Sequence, residues 1–263
     1  MIETRFVESA DHTRIAYDVT GSGPAIVLLH GGFIQSRRSW HEAGYVEPLS
    51  KEYTVIPVDL RGHGESDRPL TPEAYAPDRL IEDIKAVIDA CSVRQFYLWG
   101  YSLGGTVGLQ IASKVKETTG AILVGVWFGK LFTLEDTTMA FARIEAVERA
   151  RHEGIFEQMD MPPAERDFFR QVDTSLMKNF GCALAAYPPV DPAELQCPAL
   201  MVVGTANQPA ASKLKEREAD IRAAGVRALF LEGLDHAQEF SEIDVVLPEC
   251  LSFIRSRNSA SSG

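Results

Sequence analysis

Short apolar runs alternate along this chain with segments whose apolar residues recur every three or four positions. Near the start, residues 4–9 and 13–20 alternate apolar and polar positions around a turn at residues 10–12, which predicts an antiparallel hairpin. Six later runs are continuously apolar, the pattern of strands buried on both faces of a parallel sheet. These runs are residues 24–30, 53–59, 95–99, 121–127, 199–203 and 226–231.

Amphipathic segments lie between these runs. Residues 79–91 place Leu80, Ile84 and Val87 on one helical face, and residues 103–115, 211–224 and 241–254 are further predicted helices. Strands that alternate with helices in this way are typical of an α/β fold. The pattern therefore predicts a doubly wound, mostly parallel, eight-stranded sheet that is entered through the hairpin.

Residues 128–192 contain no strand-like run. Thr133, with Asp136 in a capping-box position, predicts the start of a helix that runs through residue 151. The pair Pro162-Pro163 predicts the start of a second helix that ends near Gly181. A segment this long is uncommon as a structureless loop, so we expect a helical cap. The predicted core comprises residues 1–127 and 193–257, and residues 258–263 are predicted to be a disordered tail.

Composition and charge argue against several classes of function. The 263 residues include 37 acidic and 26 basic side chains, with a formal net charge of −11. Nucleic-acid binders usually carry a basic surface, so we expect no nucleic-acid partner. The four cysteines lack CxxC spacing, which argues against a zinc site and a disulfide framework. With no signal-peptide pattern and no apolar run of 18 residues, the sequence predicts a cytoplasmic protein without a membrane partner.

The strongest chemical signal is the pentapeptide GYSLG at residues 100–104. It has the form G-x-S-x-G and lies between a predicted strand and a predicted helix, which is the setting of a nucleophile elbow. In such an elbow a sharp turn exposes the serine hydroxyl above the sheet. The flanking residues are glycine because side chains there would collide with the neighbouring strand and helix. Ser102 is therefore the predicted nucleophile.

Two further segments fit the needs of an acyl-transfer site. The sequence HGGF at residues 30–33 follows a strand, where backbone amides can stabilise an oxyanion, and we assign that role to the amides of Phe33 and Leu103. His236 follows the last predicted strand. A neutral imidazole there can accept the serine proton and return it to the leaving group. His30 is predicted to be structural.

Together with the turn DLRGHGES at residues 59–66, these motifs resemble those of the α/β-hydrolase superfamily over nearly the whole chain. The resemblance implies a serine hydrolase fold with a nucleophile, a histidine base and an acid. It also implies that Arg61 and His63 in the turn are structural. The family commonly places its acid in a G-x-x-D pattern after the strand equivalent to residues 199–203. Here the matching position is Asn207.

Asn207 leaves four interpretations open. The amide can orient His236 in a slower enzyme, as in Cys–His–Asn sites. A carboxylate can come instead from Glu135 or Asp136, after the strand at 121–127. Asn207 can be a replacement of an original aspartate. Alternatively, hydrolysis is weak and ligand binding is the function. We take Ser102, His236 and Asn207 as the predicted triad.

The cap is rich in aromatic and methionine side chains, so we expect an apolar pocket beneath it. The predicted pocket walls are Gly32, Tyr101, Trp127 and Phe128. The resulting hypothesis is a hydrolase that cleaves a small apolar or aromatic carboxylic ester, lactone or thioester, without a cofactor or metal. The alternatives are a hydrolase or lyase acting on carbon–carbon bonds, and a receptor-like binding protein with a weakened triad.

Overall fold

The computed structural model describes residues 3–260, except the side chains of Leu134 and of residues 258–260. Its eight strands form one sheet in the order β1-β2-β4-β3-β5-β6-β7-β8. The contacts of β2 with β1 and β4 are antiparallel and the other neighbours are parallel, which confirms the predicted fold class. The strands are β1 (Arg5–Glu8), β2 (Arg14–Tyr17), β3 (Ala25–Leu29), β4 (Thr54–Val58), β5 (Phe96–Tyr101), β6 (Thr118–Val124), β7 (Ala199–Gly204) and β8 (Arg227–Leu231).

Eleven α-helices accompany the sheet in the described part of the chain. They cover both faces of the sheet or lie between β6 and β7. The helices are α1 (Arg37–Glu42), α2 (Val46–Leu49), α3 (Pro77–Ala90), α4 (Leu103–Lys114), α5 (Leu134–His152), α6 (Pro163–Gln171), α7 (Thr174–Ala186), α8 (Ala210–Glu216), α9 (Glu218–Ala223), α10 (Gln238–Ser241) and α11 (Ile243–Ala260).

The core has two layers because the central strands are buried on both faces. In β3, Val27 and Leu29 pack into the cluster beneath α3 and α4, whereas Ile26 and Leu28 face the cluster beneath α2 and α11. All five residues of this strand are buried. The apolar runs in the sequence are continuous for this reason.

Three of the helices, α5 to α7, lie between β6 and β7. The capping box predicted at Thr133 is confirmed, since its hydroxyl accepts the amide of Asp136. The single helix predicted from residue 163 to near Gly181 is wrong. Two helices replace it because Asp173 caps a second start at Thr174, and Gly181 is inside α7. Because Gly181 has no side chain, α7 can pack closely on Phe141 of α5; a Cβ at this position would lie 3.1 Å from the Phe141 ring.

The ends of this helical segment meet at the sheet. The Gly129 amide donates to the Val190 carbonyl at 3.0 Å, which closes residues 129–190 into one loop. The segment also has an apolar cluster of its own, formed by Ile144, Val147, Met161, Phe169 and Val172. At the other end of the chain, α11 continues to Ala260, so the predicted disordered tail begins within a helix. Residues 261–263 lie outside the described residues.

The turn after β4 is a buried polar network. Asp59 accepts the backbone amides of Arg37 at 2.6 Å and of Glu65 at 2.8 Å. Gly64 has φ +52°, and a Cβ there would lie 2.1 Å from the Asp59 carboxylate, so this position needs glycine. Arg61 is fully buried and pairs with Asp83. These contacts fix the turn and the start of α1.

Candidate active site

Four loops meet at the carboxyl edge of the parallel strands. Ser102 follows β5, Asn207 follows β7, His236 lies five residues after β8, and the residues that begin at His30 follow β3. Ligands of open α/β sheets bind at this edge because parallel strands all end there. The side chains of Ser102, Asn207 and His236 line one cavity.

Ser102 lies in a strained turn between β5 and α4. Its φ of 54° and ψ of −113° are unusual for a residue with a side chain. A Cβ on Gly100 would lie 2.2 Å from the carbonyl oxygen of Gly104, and one on Gly104 would lie 2.2 Å from that of Leu29. Both glycines are therefore required by the close contact of strand and helix, as expected of a nucleophile elbow.

The Ser102 hydroxyl and the His236 imidazole are within hydrogen-bond distance. Oγ lies 2.8 Å from Nε2, the separation needed for proton transfer. Tyr101 packs on the face of the imidazole, and the centroids of the two stacked rings are 5.1 Å apart. The Tyr101 hydroxyl also donates to the His236 carbonyl at 2.7 Å.

A carboxylate that belongs to none of the sequence motifs lies against the other imidazole nitrogen. Glu239, in α10, places Oε2 2.8 Å from His236 Nδ1, and its side chain is 0% exposed. Oε1 accepts the Gly204 amide at 2.7 Å. The only hint in the sequence is the spacing of His236 and Glu239, because residues three apart share one helical face. The sequence did not indicate that α10 would turn this glutamate towards the end of β7.

Asn207 is beside this pair. Its Nδ2 donates to both Glu239 oxygens, at 2.8 and 3.0 Å, and lies 3.0 Å from His236 Nδ1. When Nδ1 carries the proton that faces Glu239, both nitrogens are donors, so the hydrogen bonds of Asn207 go to the carboxylate. A flipped amide would place its oxygen against two carboxylate oxygens. Asn207 therefore contacts Glu239 more directly than it orients His236.

The two alternative carboxylates occupy other positions. Glu135 and Asp136 are in the first turn of α5, and Asp136 accepts the Thr133 amide at 2.9 Å. Hydrogen bonds from the Thr133 hydroxyl and amide lower the pKa of Asp136. Asp136 lines the cavity, but the structure places Glu239, and not these two, against the imidazole.

Of the two backbone amides predicted to bind an oxyanion, that of Phe33 has a hydrogen-bond partner among the described residues and that of Leu103 does not. The Phe33 amide donates to His63 Nε2 at 3.2 Å, so it is already engaged. In the described part of the chain, the amides of Gly32 and Leu103 have no hydrogen-bond partner within the protein. Both residues line the cavity beside Ser102, and a Cβ on Gly32 would lie 3.4 Å from the Leu103 side chain. Gly32 therefore replaces Phe33 as the candidate oxyanion donor.

Two buried histidines support this loop. Burial lowers the pKa of His30 to about 4 and that of His63 to about 3, so both rings are neutral at pH 7. Neutral rings can accept hydrogen bonds, and His30 Nε2 accepts the Leu60 amide at 3.1 Å. Neither ring lines the cavity, in agreement with structural roles.

The cavity beside Ser102 has a volume of about 480 Å³ and mostly apolar walls. Gly32, Phe33 and Trp127 line it, together with Leu131, Phe132, Phe141, Ile144 and Met177 from the helical segment. Tyr101 and Phe128 were expected in the walls, and the structure places both elsewhere. Tyr101 faces the opposite side of the sheet, where it packs on Phe240, and Phe128 is buried in the core beneath α4.

Two observations concern the described residues as a whole. Within residues 3–260, no helix is both long and apolar enough to cross a bilayer. The same range contains no group of three or more His, Cys, Asp or Glu side chains arranged to hold a metal ion.

Comparison with known proteins supports the fold class. Residues 24–189 match the family model of the alpha/beta hydrolase fold. A fluoroacetate dehalogenase from Burkholderia sp. is 31% identical over 176 residues, which are 65% of this chain and 54% of that protein. The chain spans about a quarter to about half of the length of the curated relatives that it matches.

Solved structures extend the likeness to almost the whole chain. An esterase from Exiguobacterium antarcticum has a TM-score of 0.75 at 22% identity, over 96% of this chain and 100% of that one. An esterase from Rhodococcus sp. ECU1013 has a TM-score of 0.68 at 27% identity, over 96% and 98%. The chain belongs to the alpha/beta hydrolase family.

Proposed function

We propose that this protein is a serine hydrolase that cleaves a carboxylic ester, lactone or thioester with an apolar or aromatic acyl group. The observation that carries the proposal is the 2.8 Å contact between Ser102 Oγ and His236 Nε2 at the wall of an apolar cavity. A serine in hydrogen-bond contact with a neutral imidazole is an activated nucleophile. The esterases with the same fold give further support.

The reaction follows from the positions of these groups. Ser102 Oγ attacks the substrate carbonyl carbon while His236 Nε2 takes the hydroxyl proton. The carbonyl oxygen becomes negative and is stabilised by the amides of Gly32 and Leu103. When the intermediate collapses, the bond to the leaving group breaks and Nε2 returns the proton to that group. Water then attacks the acyl-enzyme and loses a proton to Nε2. The bond between the acyl carbon and Ser102 Oγ breaks, Nε2 returns the proton to Oγ, and the carboxylic acid is released.

A serine nucleophile favours acyl transfer over displacement at a saturated carbon. The similar dehalogenase acts, by its name, on fluoroacetate, in which fluorine is bonded to a saturated carbon. If Ser102 attacked such a carbon, the product would be an ether on the enzyme. An ether has no carbonyl for water to attack, so turnover would stop. An ester substrate gives an acyl-enzyme that water can hydrolyse.

The receptor-like alternative was based on the amide at position 207. The carboxylate of Glu239 beside His236 supports a complete triad over a weakened one. Hydrolysis of a carbon–carbon bond would use the same serine and histidine.

The test compares p-nitrophenyl esters of increasing acyl length, from acetate to octanoate, with a short polar ester. Because each buried methylene contributes about 0.8 kcal/mol, we expect kcat/KM to rise about fourfold per methylene until the cavity is filled. A burst of nitrophenol should precede steady turnover, and Ser102→Ala should show neither. Equal rates for short polar and long apolar esters would contradict the apolar acyl site. Absence of ester turnover in the wild-type protein would contradict the proposed function.

A further inference from the structure

We propose that Glu239, on the helix after the histidine, is the carboxylate that polarises His236, and that Asn207 must be an amide because it positions Glu239. This inference rests on the proposed function, since it concerns the same serine and histidine. The acid has then moved from the loop after β7, where the family commonly keeps it, to α10. Asn207 is part of the new arrangement and not a degraded acid.

The contacts of Glu239 are those of an ionised group. Its buried carboxylate receives hydrogen bonds from the Gly204 amide, from Asn207 Nδ2 and from His236 Nδ1. No Lys or Arg side chain pairs with it in the part of the chain that the structure describes. The imidazolium that forms when Ser102 loses its proton is therefore the cation closest to this charge. A buried carboxylate in this position stabilises the imidazolium and holds the productive tautomer.

The same distances explain why position 207 carries no carboxylate. An aspartate there would place an oxygen about where Nδ2 now lies, 2.8 and 3.0 Å from the Glu239 oxygens. Two carboxylates this close cannot both ionise, so one would hold a proton at neutral pH. The amide avoids this repulsion and satisfies both oxygens. The neutral residue at 207 and the charged residue at 239 thus depend on each other.

Three variants test the inference: Glu239→Gln, Asn207→Asp, and the double variant that carries both. We expect Glu239→Gln to lower kcat by about 10³–10⁴-fold with KM nearly unchanged, since the carboxylate acts on the transition state through His236. Asn207→Asp should lower kcat at least about tenfold near pH 7. In the double variant, the carboxylate introduced at position 207 lies beside Nδ1, and the amide introduced at position 239 can donate to it. We expect at least about 100-fold recovery relative to Glu239→Gln.

A measurement independent of turnover accompanies the rates. The Nδ1 proton of His236, followed by NMR, should lose its downfield shift in Glu239→Gln and regain it in the double variant, because a hydrogen bond to a carboxylate deshields this proton. Two other titratable groups are near this ring in all variants. Tyr101 stacks on it, and burial keeps the Tyr101 pKa well above its usual value, so the phenol stays neutral. Asp235 is the adjacent residue and remains as a constant background.

The outcomes separate this inference from the proposed function. A kcat in Asn207→Asp equal to or above that of the wild type, or a Glu239→Gln variant with kcat and Nδ1 proton shift close to wild type, would overturn the inference. If no ester is turned over at all, the proposed function fails and the Nδ1 proton shift still decides the role of Glu239. The double variant keeps the wild-type net charge. Its Nδ1 proton shift decides the question if a single variant does not fold: a shift near wild type supports the inference, and loss of the downfield shift overturns it.

Discussion

At the scale of single residues, Gly125 determines whether His236 and Glu239 can meet. It follows β6 with φ +72°, and a Cβ there would lie 2.5 Å from the imidazole and 2.6 Å from the Glu239 carboxylate. We predict that Gly125→Ala lowers kcat at least about 100-fold, because displacing a catalytic group by about an ångström has that effect. Gly225→Ala is the matched control.

Gly225 has nearly the same backbone conformation, with φ +73°, but a Cβ there meets nothing within 4 Å. Both variants should lose about 1–2 kcal/mol of stability from backbone strain. Ester kinetics and urea denaturation of the two proteins separate strain from displacement of the site. Similar kcat values in the two variants would show that Gly125 does not protect the histidine–glutamate pair.

The buried histidines give a pH dependence of stability whose sign can be derived. The pKa of His30 and that of His63 are lowered to about 4 and about 3, whereas an unfolded histidine has a pKa near 6.5. Between about pH 6.5 and pH 4 the unfolded state therefore binds more protons, and the free energy of unfolding falls as the pH falls. We predict that His63→Gln reduces this slope by up to about 1.4 kcal/mol per pH unit. Denaturation curves at several pH values measure it, and identical slopes would contradict the buried neutral state.

The residues that the sequence revealed are those with local signals. Ser102 lies in a five-residue motif between a strand and a helix, and His236 follows the last strand. Glu239 has no such signal, because its role depends on α10, β7 and Asn207 coming together in three dimensions. The hydrogen bond of the Phe33 amide was not visible in the sequence for a similar reason, because the His63 ring that accepts it comes from a different loop.

At the scale of elements, the start of α5 forms part of the cavity wall. Thr133 and Asp136 cap this helix, and Asp136, Thr137 and Phe141 line the cavity. We predict that Thr133→Ala raises KM for long acyl esters several-fold and leaves kcat nearly unchanged, because loss of a cap costs about 1 kcal/mol and loosens the first turn. Hydrogen exchange of the first amides of α5 should become faster.

The control for this prediction is a second capping box. Ser36 and Ser39 cap α1, and neither residue lines the cavity. Ser36→Ala should lower stability by a similar amount without changing KM. A raised KM in both variants would mean that general loosening, and not the position of α5, affects substrate binding.

The strands were more predictable than the helices outside the core. Continuous apolar runs predicted the six later strands, β3 to β8, and the alternation of apolar and polar positions predicted the two strands of the hairpin. The break between α6 and α7 was missed because Asp173 caps a new helix within a region of uniform helical periodicity. Helices α1 and α2 were not predicted from the sequence. Both are short, and their apolar residues pack into a cluster whose other members are distant in the sequence.

At the scale of the whole molecule, the sheet topology brings the candidate site residues together. The loops after β3, β5, β7 and β8 meet at one edge, and the helical segment between β6 and β7 covers the resulting cavity. The order of the motifs in the sequence was enough to predict this arrangement. The residues of the cavity wall could not be predicted in the same way, because the side of the sheet on which Tyr101 and Phe128 lie depends on how each chain segment leaves the sheet.

The central claim is that Ser102 is a nucleophile activated by His236. The most direct measurement is mass spectrometry of the protein after exposure to a fluorophosphonate, with the adduct located by peptide mapping. We predict one adduct, on Ser102, which is absent in Ser102→Ala and forms much more slowly in His236→Ala. No adduct, or an adduct on another residue of the wild-type protein, would contradict the claim.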